Sequence, residues 1–179
     1  MRTCGQCRMC CKVFPLPVLG KAENQWCRHL SARGCSIHGH GQPEVCRGYV
    51  CYWLDHAEVP DAYRPDRIGI VVTECGTIPI AGSVLPVFVL NQSEPGACQG
   101  QAAKTLIDDM LAKGCVLFVI YGPDAQIAYD RNRWTAISAK QIEAAFRHER
   151  FRDAEELKRL GAVDEDYGSL TGEGAEARI

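Results

Sequence analysis

The 179-residue chain is long enough for one domain with a small appended module, and its 46% hydrophobic and 23% charged residues exclude a wholly disordered chain. No stretch approaches the ~18 apolar residues of a membrane span. Met1-Arg2-Thr3-Cys4-Gly5-Gln6-Cys7 has no apolar run of a secretion signal, so a cytoplasmic protein without a membrane partner is expected. The formal net charge of −2 conceals an asymmetry: residues 1–56 carry seven Lys/Arg against three Asp/Glu, net +4, and the remainder thirteen against nineteen, net −6. The basic residues stand singly between cysteines. That placement reads as an offset to metal-bound thiolates rather than as a stripe for nucleic acid.

The first segment, residues 1–56, is defined by its cysteines. Of eleven in the chain, eight fall here: Cys4, Cys7, Cys10, Cys11, Cys27, Cys35, Cys46 and Cys51. An odd total without a secretion signal argues against a disulfide framework, because the cytosol keeps thiols reduced. Cys4, Cys7 and Cys10 are each separated by two residues, a spacing at which a tight turn brings two sulfurs to one metal at ~2.3 Å from each. The same run resembles the opening of a ferredoxin ligand series but lacks its x3-C-P continuation. Cys10 and Cys11 are adjacent, and neighbouring side chains seldom converge on one ion, so one of them serves a second centre or supports the first from outside it. Pro15 and Pro17 break any helix, so turns and loops are expected around the ligands. The segment has too little apolar surface to fold alone, and a metal would have to supply the energy.

From about residue 67 the pattern becomes that of a packed α/β body, expected to extend over residues 57–160. Ile68–Thr73 and Val84–Leu90 read as strands, with Pro86 placing the second at an edge or bulge. Residues 100–113 suit an amphipathic helix, with Ala103, Leu106, Ile107, Met110 and Leu111 at helical spacing and Gly114 as its stop. Cys115–Tyr121 is the clearest strand, and Gln126–Tyr129 a shorter partner across a Gly122-Pro123-Asp124 turn. Ser138 with Gln141 makes a capping box for a last helix whose apolar face is Ile142, Ala145, Phe146, Leu157 and Leu160. Residues 161–179 are glycine-rich and read as a flexible tail. The expected class is α+β: a small mixed sheet with two helices in the order β-β-α-β-β-α, preceded by a loop-rich cysteine segment.

Residues 4–11, Cys-x2-Cys-x2-Cys-Cys, resemble the signature of the CxxCxxCC cysteine-cluster proteins, a family associated with zinc or iron chelation. Cys27-Arg28-His29-Leu30 resembles that family's C-x-x-L element, Cys35-Ser36-Ile37-His38 its C-x-I-Y/H element, and Pro43-Glu44-Val45-Cys46 its R-P-x-x-C element, with Gln42 where the family has Arg. The resemblance covers residues 4–54 and implies metal binding, as zinc or as an iron–sulfur cluster. The family includes flagellin lysine methylases, but this chain has no G-x-G-x-x-G after a strand, so that activity is not expected of it.

The candidate metal ligands are therefore Cys4, Cys7, Cys10, Cys11, Cys27, Cys35, Cys46 and, five residues beyond the last family element, Cys51. Cys75, Cys98 and Cys115 read as small core residues rather than ligands, with approach to the cluster the alternative for Cys75, which ends a strand. His38 and His40 sit between ligands, but the family element accepts Tyr at the first of these. Trp26, Tyr49, Tyr52 and Trp53 flank ligands and are expected to wall off the metal. No G-x-S-x-G, H-E-x-x-H or Walker A sequence is present, so no catalytic residue is expected. The cysteine triplet favours a [4Fe–4S] cluster with a redox or accessory role. The intervals of sixteen, eight and eleven positions between Cys11, Cys27, Cys35 and Cys46 suit cross-braced zinc in a protein-interaction module equally well.

Overall fold

The computed structural model describes Arg2, residues 7–80 and residues 82–138. The cysteine segment is built from short pieces, as its prolines and glycines dictate. They are α1 (Cys10–Val13), a tight hairpin of β1 (Leu30–Ser31) and β2 (Gly34–Cys35), α2 (Glu44–Gly48) and α3 (Tyr52–Asp55). Pro65 opens α4 (Pro65–Ile68) at a position where its missing N–H costs nothing, and Gly69 closes it in the left-handed conformation.

The body follows as β3 (Ile70–Ile80), β4 (Ser83–Gln92), α5 (Gln101–Ala112), β5 (Val116–Tyr121), β6 (Asp124–Asp130) and β7 (Arg133–Ser138). The five strands form one sheet in sequential order, with β4 and β5 parallel and the other pairs antiparallel. α5 is the crossover that a parallel pair requires. The molecule is α+β with a mixed sheet, as expected.

Strand alternation builds two apolar faces. Ile78, Val87, Val89, Val116, Phe118, Ala125, Ile127 and Ile137 pack on one side. Ile70, Val72, Phe88, Leu90, Leu117 and Val119 pack on the other against Ala103, Leu106, Ile107, Met110 and Leu111 of α5. Burial on both faces explains why β4 and β5 read as continuous apolar runs.

Three boundaries differ from the sequence expectation. Ile68 belongs to α4, not to the first strand, and that strand runs on to Ile80 through a bulge between Glu74 and Thr77, where Gly76 takes φ +88. Pro86 pairs with Thr77 at the edge of this bulge, one residue before the β5 pairing begins at Val87, a place in a sheet where proline is tolerated. β7 was not expected: its polar, exposed beginning at Arg133 masks the strand, which ends at Ser138, the residue read as a helix cap. The last helix and the tail lie outside the described residues.

Candidate metal centre

α1 starts from a turn at Met9, whose carbonyl accepts from Lys12 and Val13, while Arg8 O accepts from Cys11 N at 2.9 Å. Contacts leave the α1 turn in two directions. In one, Arg8 donates to Ser31 O (3.0 Å) and Ala32 O (2.7 Å) of the β1–β2 hairpin, and Cys11 O accepts from Cys27 N at 3.0 Å. The hairpin then carries Leu30 and Cys35 opposite one another, with Ser36 N bonded to His29 O. Cys46 follows in α2, its N–H bonded to Pro43 O at 3.0 Å.

These ties bring four thiols into electrostatic reach. The Cys46 thiol is pushed above its ordinary pKa, first by desolvation and then by Cys11, Cys27 and Cys35, while Lys21 acts the other way. A thiol whose ionisation is opposed by three others is a poor isolated nucleophile and a good metal ligand, because a cation removes the repulsion.

Lys21 is the charged residue that sequence reading passed over. It is buried, and its ammonium donates to Lys12 O at 2.9 Å, to Ala22 O at 3.2 Å and to Phe14 O. Desolvation lowers its pKa, opposed by Cys27, Cys11, Glu23 and Cys10. Nothing in the periodicity of Leu19-Gly20-Lys21-Ala22 marks it. Its neighbours supply the reason: a fixed cation tied to three carbonyls beside the thiols. Arg2 and Arg8 spend their guanidinium groups on backbone carbonyls instead, so the scattered basic residues hold loops together as well as offsetting charge.

In the other direction, the residue that ends α1 is tied toward the body. Phe14 packs edge-on against Tyr49 at 4.8 Å, and the Tyr49 hydroxyl is 2.9 Å from Thr73 Oγ1 on β3. Burial raises the Tyr49 pKa; the Thr73 hydrogen bond opposes this, and Cys51, Cys10 and Cys75 add to it. Cys51 precedes α3 with extended backbone, and its carbonyl accepts from Leu54 and Asp55. Cys7 is buried, and its thiol contributes a hydrogen bond to Asp66. Desolvation raises the pKa of that carboxyl, but Arg64, at 2.6 and 2.9 Å, outweighs it and holds the value below the ordinary range. Cys4 lies outside the described residues.

The aromatic wall is only partly realised. Trp53 is buried and Tyr52 packs on Phe88 of β4 at 5.2 Å, so both serve the body core. Trp26 is 53% exposed, with the Lys12 ammonium 5.7 Å from its ring centre. His38 and His40 are exposed. Cys75 sits at the β3 bulge against the sheet core with its pKa pushed to about 11 by burial, Cys98 lies in the turn before α5, and Cys115 is buried ahead of β5.

Among the described residues, no three His, Cys, Asp or Glu side chains stand at the spacing of a formed metal site, and none of the helices is long and apolar enough to cross a membrane. The donor chemistry of Cys11, Cys27, Cys35 and Cys46 nonetheless suits a thiophilic ion, since four thiols satisfy tetrahedral zinc or an iron–sulfur cluster. No protein-family model matches the chain, and no curated protein or solved structure resembles it closely enough to mark a relative.

Proposed function

We propose that this chain is a cytoplasmic metal-binding protein of the CxxCxxCC type, in which Cys11, Cys27, Cys35 and Cys46 hold an iron–sulfur cluster with a redox or accessory role. The supporting observation is that contacts distant in sequence draw the cysteine-bearing pieces together around α1: Cys27 N bonds Cys11 O, and Arg8 holds the hairpin that carries Cys35. Sites of this kind rarely stand preformed without their metal, so closing from electrostatic reach to ligation distance is the expected step on binding. Lys21 offsets part of the thiolate charge, and the Arg8 ties hold the hairpin ligand Cys35 beside α1. A bound cluster would supply one-electron transfer; the chain's part is to hold it, limit water and set its charge.

A second reading, a zinc-stabilised protein-interaction module, is favoured by a different observation. Val18, Trp26, Val45 and Val50 of the cysteine segment are 74%, 53%, 61% and 48% exposed, the kind of apolar surface that a protein partner covers. Metal and sulfide analysis of anaerobically purified protein, with its visible spectrum, separates the two. A brown protein with matching iron and sulfide supports the cluster. A colourless protein holding stoichiometric zinc sinks the redox reading, and a protein that takes up neither metal sinks both.

A further inference from the structure

We infer that His56, with Glu58 and Glu74, forms a pH-operated latch: it fastens the exit of α3 to β3 while the ring is an imidazolium and lets go of β3 when the ring is neutral. The latch is built outside the cysteine cluster and does not depend on the metal-binding reading above.

The backbone fixes where the ring sits. His56 closes α3 in an extended conformation and its N–H donates to Tyr52 O at 3.0 Å. Its carbonyl accepts from Val59 N at 3.1 Å and from Arg2 Nη1 at 2.8 Å. The Tyr52 ring lies against the imidazole, with centres 4.3 Å apart, and is itself packed on Phe88 of β4. Phe88 is the pairing partner of Glu74, the β3 residue just before the bulge. The imidazole is thus held where its two nitrogens meet two carboxylates. Nδ1 is 3.1 Å from Glu58 Oε1, and Nε2 is 3.2 Å from Glu74 Oε2.

An ionised carboxylate only accepts, so each nitrogen must carry a proton for both bonds to form. A neutral imidazole has one N–H. It can keep one carboxylate, and its bare nitrogen then faces the oxygen lone pairs of the other. Glu58 is two residues away and moves with the ring, whereas Glu74 belongs to a strand fixed in the sheet. The Glu74 contact is the one that demands ordering across a long stretch of chain, so it is the one released.

The surrounding charges agree. Glu58 and Glu74 favour the cation; Arg2 opposes it, but its guanidinium is paired with Asp61 at 3.4 Å. Burial raises the pKa of Tyr52, and it keeps Cys75 and Cys115, the thiols within reach of Glu74, protonated. Desolvation of the ring works against the cation and is outweighed, which moves the change of state above the ordinary histidine value of about 6.5. The device lets pH set how tightly the end of the cysteine segment is fastened to the sheet.

Nitrogen NMR of the His56 ring and amide exchange of the full-length protein test this, with metal content held constant. Both ring nitrogens are expected to be protonated on the acid side of neutrality, and one in mildly alkaline buffer. Protection of the His56 and Val59 amides, expressed against intrinsic exchange so that the direct effect of pH cancels, should fall by about two- to fivefold over the same change, the scale of an exposed ion pair. Glu74→Gln is the deciding variant. An amide can donate or accept, so it bridges a neutral ring, and protection should stay level across the range. His56→Gln, which cannot titrate, should stay level as well. A ring that carries one proton throughout overturns the proposal, and so does unchanged protection in the parent. A fall of equal size in Glu74→Gln overturns it too, because the pH response would then arise elsewhere in the molecule.

Discussion

Arg2 does more than its place near the N-terminus implies. Its guanidinium donates to Trp53 O at 2.7 Å, His56 O at 2.8 Å and Val59 O, lies 4.7 Å above the Trp53 ring and pairs with Asp61 at 3.4 Å. The first of these carbonyls is in α3 and the other two follow it, so one side chain ties the end of the helix to the loop beyond. Hydrogen bonds from a charged donor contribute about 1.5–3 kcal/mol each at most, and losing several at once is not additive. Arg2→Ala should therefore lower unfolding free energy by roughly 2–3 kcal/mol and speed amide exchange across residues 53–61. Arg2→Lys should recover only part, because an ammonium cannot reproduce the fork. Denaturant unfolding of the three proteins checks the order. Equal stabilities would mean that the observed ties carry little energy.

His56 gives a pH dependence at the same scale. Its Nδ1 is 3.1 Å from Glu58 Oε1 and its Nε2 3.2 Å from Glu74 Oε2, while Tyr52 stacks on the ring at 4.3 Å. Desolvation works against the charged ring, but Glu74 and then Glu58 outweigh it and raise the pKa. A folded-state value above the unfolded one stabilises fully below the unfolded value, about 6.5 for histidine, and that stability fades as pH rises through the folded value. The Tm advantage of the parent over His56→Gln should thus be largest just below neutrality and shrink in mildly alkaline buffer. Using the difference removes the thiols' own titration from the comparison. An advantage that stays constant over that range would show that the ring contributes by packing alone.

Among the elements, the turn from α4 into β3 is the most sharply constrained. Gly69 has φ +70, and a Cβ there would meet Ala97 Cβ at 3.2 Å and Ser93 Oγ at 3.3 Å, while Ser93 N already bonds Gly69 O at 2.9 Å. Gly76 in the β3 bulge has φ +88 but open space around it. Left-handed strain for an L-residue costs about 1–2 kcal/mol at either site. Gly69→Ala adds crowding against backbone-tied neighbours and should destabilise by about 1 kcal/mol more than Gly76→Ala in matched thermal unfolding. Equal losses would mean that Ala97 and Ser93 yield freely.

These elements also show what the sequence carried and what it did not. β4, α5 and β5 were legible because each has a single strong period and is buried along its length, so pattern and burial agree. β3 was cut short at Thr73 because Cys75-Gly76 resembles a strand end, whereas a bulge lets the strand pass through. β7 escaped because its start is polar and exposed. At the site, cysteine spacing marked the candidate ligands but could not sort them. What positions the segment that bears them is the bonds of Arg8 to the hairpin and the Phe14–Tyr49 contact, which join residues far apart in sequence.

At the scale of the whole molecule, the proposed function has the two parts rest on different forces. In the cysteine segment up to residue 50, the buried apolar side chains described are Cys7, Val13 and Leu16, whereas the sheet and α5 supply the rest of the described core apart from Trp53, Val59, Ile68 and Cys115. So small an apolar contribution, roughly 1.5–3 kcal/mol per fully buried side chain, falls short of the backbone entropy of ordering forty residues, at about 1–2 kcal/mol each. Metal ligation is expected to make up the difference. Removing the metal with a chelator under reducing conditions should erase amide protection at Cys27, Leu30 and Ser36, whose N–H groups hold α1 to the hairpin and the hairpin to itself, while β5 from Val116 to Val119 keeps its protection. Cys46→Ser should reproduce the pattern, and Cys98→Ser, in the turn before α5, should leave both metal content and protection unchanged. Hydrogen exchange read by mass spectrometry on the three proteins decides it. Loss of protection through the sheet as well would make the molecule one cooperative unit clamped by its metal, and unchanged protection in the hairpin would mean that the segment stands without one.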